Sequence, residues 1–357
     1  PAEILEYPSW DDFVRALENP PHILGISFHI NETNLALIMA DYARRKGVKE
    51  IWAGNFGAFN KKINDSFDRV FTGWSEASVA LALGAPMSSH IRHPEIYASV
   101  GTGLPIPPLI VGTLFTSRGC PHTCNFCQTP DFYGRSQPMP LEEIKIILKK
   151  YKEKGVHSIN ILDENFGTFH KHSRDVVDML QRLDFRWVAL TRVNTLLKNF
   201  DVWRDSGLFG AHLGIESLSN KSLESASKRT DQSESIRALE LLSRHNMFVQ
   251  IFYILGFETD TIPSIKSDID RLSKLDIDVA QLQILTPYPN TADTEKIITK
   301  YSITIEDHSL YNSRNLVWNH PNFSAKNLEE IRQQSDRRIN TPARMRRTLA
   351  KFLLYYG

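Results

Sequence analysis

Cysteine is scarce in this chain: 357 residues hold three, at positions 120, 124 and 127, inside "SRGCPHTCNFCQTP" (117–130). An odd number of thiols packed into eight residues excludes a disulfide framework and fits a reducing compartment. A basic, apolar leader is missing from the opening "PAEILEYPSW", which argues against secretion. Long apolar runs are missing too. The longest, "FVQIFYILGF" (248–257), is about half of the ~20 residues that a membrane helix needs. The expectation is a cytoplasmic protein with no membrane span. Charge excess is absent as well, the formal net charge being +1, so overall charge names no partner. No low-complexity tract and no repeat period appears. The length suggests about two domains at ~150 residues each.

What is present is a cluster of thiols on one loop, and three readings of it compete. One is zinc with His122 as fourth ligand, although structural zinc usually draws ligand pairs from separate loops. Another is chance clustering of inert buried thiols. The third is an iron–sulfur cluster. A four-iron cluster normally has four cysteines, so three leave one iron open to a small molecule.

The spacing Cys120-x3-Cys124-x2-Cys127, with Phe126 before the last cysteine and the strand-like "PLIVGTLFTS" before the loop, resembles the signature of the radical S-adenosylmethionine (radical SAM) enzymes. The resemblance implies a [4Fe–4S] cluster on Cys120, Cys124 and Cys127. It implies that the open iron chelates the amino and carboxylate groups of SAM. Reductive cleavage of SAM then gives a 5′-deoxyadenosyl radical that abstracts hydrogen from a substrate. In such enzymes the cofactor carries the hard chemistry, and the protein supplies position and exclusion of water.

Downstream, strand-like and helix-like segments alternate. "PLEEIKIILKKYKEKG" (140–155) has helical spacing, with Pro140 and two glutamates at its start and Gly155 at its end. "VHSINILDENFG", "FRWVALTRVN", "FGAHLGIESLS", "MFVQIFYILGF" and "VAQLQILTPYP" read as strands with helices between them. With the strand before the cysteines this makes six β/α units between about 110 and 290, and such alternation predicts a parallel sheet with right-handed crossovers. The fold class expected is α/β, a partial (β/α)6 barrel over 113–300, as the resemblance also implies.

Function in such sheets collects at the carboxyl ends of the strands. "LDENF" places Asp163, Glu164 and Asn165 after the second strand. The plain reading is helix capping; the resemblance implies that Glu164 accepts from the SAM ammonium, although the Gly-Gly-Glu of many relatives is absent. Arg192 ends the third strand as a planar fork suited to a carboxylate. Glu216 and Ser217 end the fourth; the plain reading is a capping acid before "NKSLESASK", and the resemblance implies a carboxylate that receives ribose hydroxyls or the SAM amino group. Gly256 ends the fifth, open to an adenine or simply a turn. The backbone of "LTPYPNT" (285–291) is a second adenine candidate. The cofactor-binding set is therefore Phe126, Glu164, Arg192, Glu216 and Gly256.

Residues 1–100 read as part of a doubly wound, Rossmann-like α/β domain. "GISFHI", "IWAGNF" and "VFTGWSEAS" resemble segments of the radical SAM subgroup with an N-terminal cobalamin (B12)-binding-type domain. Here that domain is shortened. A first strand is missing, and no Asp-x-His-x-x-Gly stretch supplies a cobalt ligand; His22 and His29 lack its context. Gly54, Gly57 and Gly73 permit close backbone approach to a corrin or its tail, but cobalamin, although possible, is not favoured. "GTGLPIPPLI" (101–110) reads as a semi-rigid linker spanning 101–112. The tail, 301–357, reads as a helical extension. From Arg337 to Lys351 it holds six basic residues and no acid, and the preferred reading is a packing helix, with Leu349, Phe352, Leu353 and Tyr356 against the barrel.

The function expected is hydrogen abstraction from a small-molecule or lipid-like substrate, ending in rearrangement, cyclisation or desaturation. The alternatives are a cobalamin-dependent radical C-methyltransferase, an RNA-modifying radical enzyme, and a non-catalytic metal-binding module. The implied partners are a small-molecule substrate and an electron donor such as flavodoxin or ferredoxin; nucleic acid is disfavoured. No further cysteine exists to hold an auxiliary cluster.

Overall fold

The computed structural model describes residues 3–63, 65–86, 91–100 and 108–356. Most of the segment read as a linker, 101–107, lies outside these residues. The front of the chain forms three parallel strands, β1 (Ile23–Ser27), β2 (Glu50–Gly54) and β3 (Arg69–Val70), in that spatial order. The helix Thr33–Arg45 covers one face, burying Ala36, Ala40 and Ala43 against Ile26, Phe28, Ile51 and Ala53. Small residues at helical spacing let helix and sheet approach closely.

The larger body is a seven-stranded sheet. After β4 (Tyr97–Val100) come β5 (Leu109–Leu114), a two-stranded ribbon of β6 (Ser117–Arg118) and β7 (Gln137–Pro138), then β8 (Ser158–Ile161), β9 (Arg186–Thr191), β10 (Leu208–Glu216), β11 (Phe248–Leu255) and β12 (Val279–Ile284). The order β12-β11-β10-β9-β8-β5-β4 is sequential, and every neighbouring pair is parallel except β4 with β5. This is the six-unit partial barrel that the alternation predicts. β4 is an addition: "YASV" is four residues long and carries no readable alternation, yet it pairs antiparallel with β5 and joins residues 97–100 to the barrel sheet.

Helices on the outside follow their apolar stripe. Leu141–Glu153 turns Ile144, Ile147, Leu148 and Tyr151 inward, and His170–Arg182 buries Val176, Val177 and Leu180. The tail forms two helices, Ala325–Ile339 and Pro342–Tyr356. Its basic residues are tied down structurally. Arg344 donates to the carbonyls of Leu275 and Ile277 at 2.9 and 3.3 Å, Arg347 pairs with Asp276 at 2.5 Å, and buried Lys351 pairs with buried Asp278 at 2.9 Å. Phe352 packs against Phe248 with the rings tilted and their centroids 4.9 Å apart. Leu349, by contrast, is exposed, because the ion pairs turn that side of the helix away from the barrel. The side chains of Leu353 and Tyr356 lie outside the described residues.

Candidate functional site

The three cysteines sit on the loop bracketed by β6 and β7, directly beyond the carboxyl end of β5. Cys127 N–H donates to the Cys124 carbonyl at 3.0 Å, which closes a tight turn. The loop is tied to its neighbours. Asn125 donates from its backbone to the Ala226 carbonyl and from its side chain to the Ser225 carbonyl, at 3.0 and 2.7 Å. Gln128 reaches the Pro289 carbonyl at 2.9 Å. Gly119, at φ +79°, is required: a Cβ there would meet the Arg135 carbonyl oxygen at 2.7 Å.

"LDENF" grips the start of this loop. Fully buried Asp163 accepts from Thr116 N–H at 2.6 Å and from the hydroxyls of Thr116 and Ser117. Burial pushes its carboxyl up to about 6, against the pull of those donors. Glu164 accepts from Gly119 N–H at 2.9 Å and lines the cavity described below; burial raises its pKa also. Asn165 accepts from Arg192 N–H at 3.1 Å and so fixes where β9 ends.

Arg192 is 6% exposed. Its Nη1 lies 3.3 Å from Cys124 Sγ, while Nε and Nη2 are buried without a hydrogen-bond partner. Two unpaired guanidinium donors in a dry site are costly. Their fork matches a carboxylate.

Glu216 ends β10 beyond a bulge and holds φ +64°, uncommon for a residue with a side chain. Its Oε1 pairs with Lys228 Nζ at 2.7 Å, and both side chains are nearly buried. The pair folds back over Gly214, where a Cβ would meet Glu216 Oε1 at 2.5 Å and Lys228 Nζ at 2.8 Å. Burial, then Arg192, Lys228 and Arg229, push the His122 ring down to about 4. The cysteine loop is therefore faced by cations, which suits thiolates and an anionic ligand.

These groups surround one cavity of about 280 Å³ at the carboxyl ends of the strands, with Phe126, Glu164, Arg192, Glu216 and Lys228 around it and apolar Leu190, Phe252, Ile254 and Leu285 as walls. Leu285, Thr286 and Tyr288, from the segment beyond β12, complete it. Four of the five residues assigned from the sequence to cofactor binding thus meet in one place. Gly256 does not line this cavity. Its φ of +84° and the approach of Leu328, 2.7 Å from a Cβ built there, account for the glycine. Lys228 escaped the sequence reading because "SASKRTD" looks like any exposed lysine-bearing turn; only the fold turns it inward.

Among the described residues no group of three or more histidine, cysteine, aspartate or glutamate side chains is placed to hold a single metal ion. A four-iron cluster asks for something else, since its cysteines bind three separate irons. The thiol set, the cations around it and the orphaned Arg192 nitrogens fit a cluster with a bound amino acid carboxylate. Burial pushes the Cys120 and Cys127 thiols up, so metal binding there releases protons.

The front domain fits a corrin less well. Its strand ends face the barrel, but they are occupied. Ile30 is buried in the barrel's core, Phe56 stacks on Phe132 at 4.2 Å, and His29 stacks on Phe56. A Cβ at Gly57 would meet Phe28 at 2.3 Å, and one at Gly73 the Phe132 carbonyl oxygen at 2.3 Å. The space at these two glycines is filled by the protein itself. Only Gly54 leaves it open.

Comparison with known proteins agrees with this architecture. Residues 114–272 match the family model of the Radical SAM superfamily. An uncharacterized methyltransferase of Pyrococcus horikoshii is 29% identical over 228 residues, covering 62% of this chain and 49% of the relative. Bacteriochlorophyllide d C-12(1)-methyltransferase of Chlorobaculum tepidum is 28% identical over 193 residues, covering 52% of this chain and 42% of the relative. This chain spans about half the length of the curated relatives it matches. Among solved structures, the radical S-adenosylmethionine methyltransferase TsrM of Kitasatospora setae, with cobalamin and a [4Fe–4S] cluster bound, superposes with a TM-score of 0.64 at 13% identity, over 81% of this chain and 69% of that one. That likeness is one of fold alone, an α/β domain followed by a radical SAM barrel. Residues 114–272, which carry the cysteine loop and strands β6 to β11, thus form a radical SAM domain.

Proposed function

We propose that this chain is a radical SAM enzyme that transfers a methyl group to a carbon atom of a small-molecule or lipid-like substrate. The observation that carries the radical SAM chemistry is Arg192, with two buried, partnerless donors beside Cys124 at the mouth of the cavity. The methyl transfer is supported by the relatives, two of which are named as methyltransferases, and by the fold shared with TsrM.

When bound, the cluster and SAM supply one-electron cleavage of a carbon–sulfur bond. The chain's own residues do the rest. Cys120, Cys124 and Cys127 ligate, and Arg192 Nε and Nη2 donate to the SAM carboxylate. Glu164 and Glu216 accept from its ammonium or ribose, and Lys228 neutralises Glu216 until the ligand arrives. Phe126, Leu285 and Tyr288 exclude water. All three cysteines are committed to the loop, so no protein thiolate is left to carry a methyl group. Methyl transfer would then need a carrier other than a protein thiolate, such as a corrin. An external electron donor such as flavodoxin or ferredoxin completes the requirement.

The second reading is hydrogen abstraction without a corrin, ending in rearrangement, cyclisation or desaturation. The filled glycine spaces at Gly57 and Gly73 favour it. One experiment separates the two. Protein reconstituted anaerobically with iron and sulfide is incubated with SAM, reductant and cell extract, with and without cobalamin. Cobalamin-dependent S-adenosylhomocysteine with a methylated product supports methyl transfer. 5′-Deoxyadenosine alone, independent of cobalamin, supports the second reading. SAM cleavage by protein with all three cysteines changed to alanine would sink both.

A further inference from the structure

Beneath the cavity the barrel interior carries a polar layer where barrels usually pack branched apolar side chains. On the inner face of β10, His212 lies two residues before Gly214, about 7 Å below it along the strand. His212 Nδ1 is 2.9 Å from Gln250 Oε1 on β11, and Nε2 is 3.2 Å from Asn160 Oδ1 on β8. In register, His212 lies beside Leu190 of β9, a wall of the cavity. All three polar side chains keep partial exposure. The sheet does not close on itself, and exposed Gln281 on edge strand β12 shares this inner face. Below, the interior is stopped by Phe248, Phe209, Val188 and Val279 with Phe352. The layer is thus a polar floor over an aromatic plug, one inward strand position below the cavity-lining residues Gly214, Phe252 and Gln283.

The hydrogen-bond accounting of this floor is incomplete. Among the described residues, neither Asn160 Nδ2 nor Gln250 Nε2 has a protein partner. A neutral imidazole donates from one nitrogen only. If His212 is neutral, one carboxamide must turn its NH2 to the ring and its oxygen to the interior. The floor then offers the interior a donor and an acceptor. If His212 is an imidazolium, both oxygens accept from it and both NH2 groups face the interior. The first state complements a carboxylic acid or a carboxamide, and the second a carboxylate.

We infer that Asn160, His212 and Gln250 form a recognition site for a carboxyl-type end of the substrate, which holds the remainder of an apolar molecule up against the cavity. This rests on the reading of the cavity as the SAM site and names the substrate class that site serves. His212 and Gln250 are specificity residues here and touch neither SAM nor the cluster.

The test uses cluster-loaded protein with SAM and matched probe sets: medium-chain fatty acids, their methyl esters and the corresponding alkanes. Binding is read by thermal shift and by the ring resonances of ¹⁵N-histidine-labelled protein, the His212 signal being the one missing from H212N. The acids are expected to bind, to move the His212 signal, and to lose at least tenfold in affinity in H212N and Q250L. SAM binding should stay unchanged in both variants. Equal binding of acid and alkane, no movement of the His212 signal by any acid, or undiminished acid binding in Q250L would overturn the inference. Loss of SAM binding in the unmodified protein would instead count against the site reading above it.

Discussion

At the scale of single residues, the Glu216–Lys228 pair decides how the empty site holds together. Both side chains are nearly buried and 2.7 Å apart, so each is the other's compensation for desolvation. Breaking such a pair costs more than never having made it, because one charge stays behind unpaired. Lys228→Met should therefore destabilise cluster-free protein by about 3–5 kcal/mol in urea unfolding. The double variant Lys228→Met, Glu216→Leu should recover most of that loss, since no charge is then buried alone. If the single variant unfolds like the unmodified protein, the pair is wetter than its geometry states. Arg192 behaves differently. Its partner is the ligand, so Arg192→Ala should leave apo stability nearly unchanged. It should weaken SAM binding roughly ten- to a hundredfold in calorimetry, the loss of about 1.5–3 kcal/mol of charge-assisted hydrogen bonding.

At the scale of elements, the cysteine loop is held by a clamp: Asp163 beyond β8 binds the end of β5 through Thr116 and Ser117. Its folded pKa of about 6 lies above its ordinary value of 3.8 because it is buried. A raised carboxyl contributes stability that is full below about pH 4 and lost as pH rises through 6, on the order of 3 kcal/mol in all. Asp163→Asn does not titrate. Its stability deficit relative to the unmodified protein should be largest near pH 4 and smaller by that amount at pH 7.5, as thermal unfolding of the apo protein would show. A constant deficit across that range would mean that Asp163 titrates normally. The sequence allowed part of this to be read. "LDENF" after an apolar strand marks a functional strand end, and the six strands follow from alternation of period two with period 3.6. The division of labour inside the motif could not be read. Asp163 clamps, Glu164 faces the cavity and Asn165 sets Arg192 only because β8 lies beside both β5 and β9. The same holds for β4 and Lys228. A four-residue edge strand and an ordinary lysine acquire their roles from neighbours distant in sequence.

At the scale of the whole molecule, the front domain docks with its strand ends against the barrel. On one side Phe56 stacks on Phe132 and Trp74 packs edge-on to Tyr133; on the other Asn34 bonds Asp307 and Asn60 bonds His308. Phe132 and Tyr133 lie on the loop that carries the cysteines, past Cys127. Gly73 is the tightest point, with φ +63° and the Phe132 carbonyl oxygen where its Cβ would go. Gly73→Ala clashes with backbone and strains its own conformation, so the contact must open. The expected result is faster hydrogen exchange in residues 28–30 and 55–59 and around Phe132, with β8 to β12 unchanged and SAM binding in the loaded protein kept. A conservative control is Gly54→Ala, where the Cβ meets nothing within 4 Å and exchange should stay as in the unmodified protein. If a corrin were to enter between the domains, this same contact would have to part. Cobalamin retained after desalting should then rise in Gly73→Ala. Should retention fall instead, the closed contact is itself the binding geometry, and the filled glycine spaces are compatible with methyl transfer.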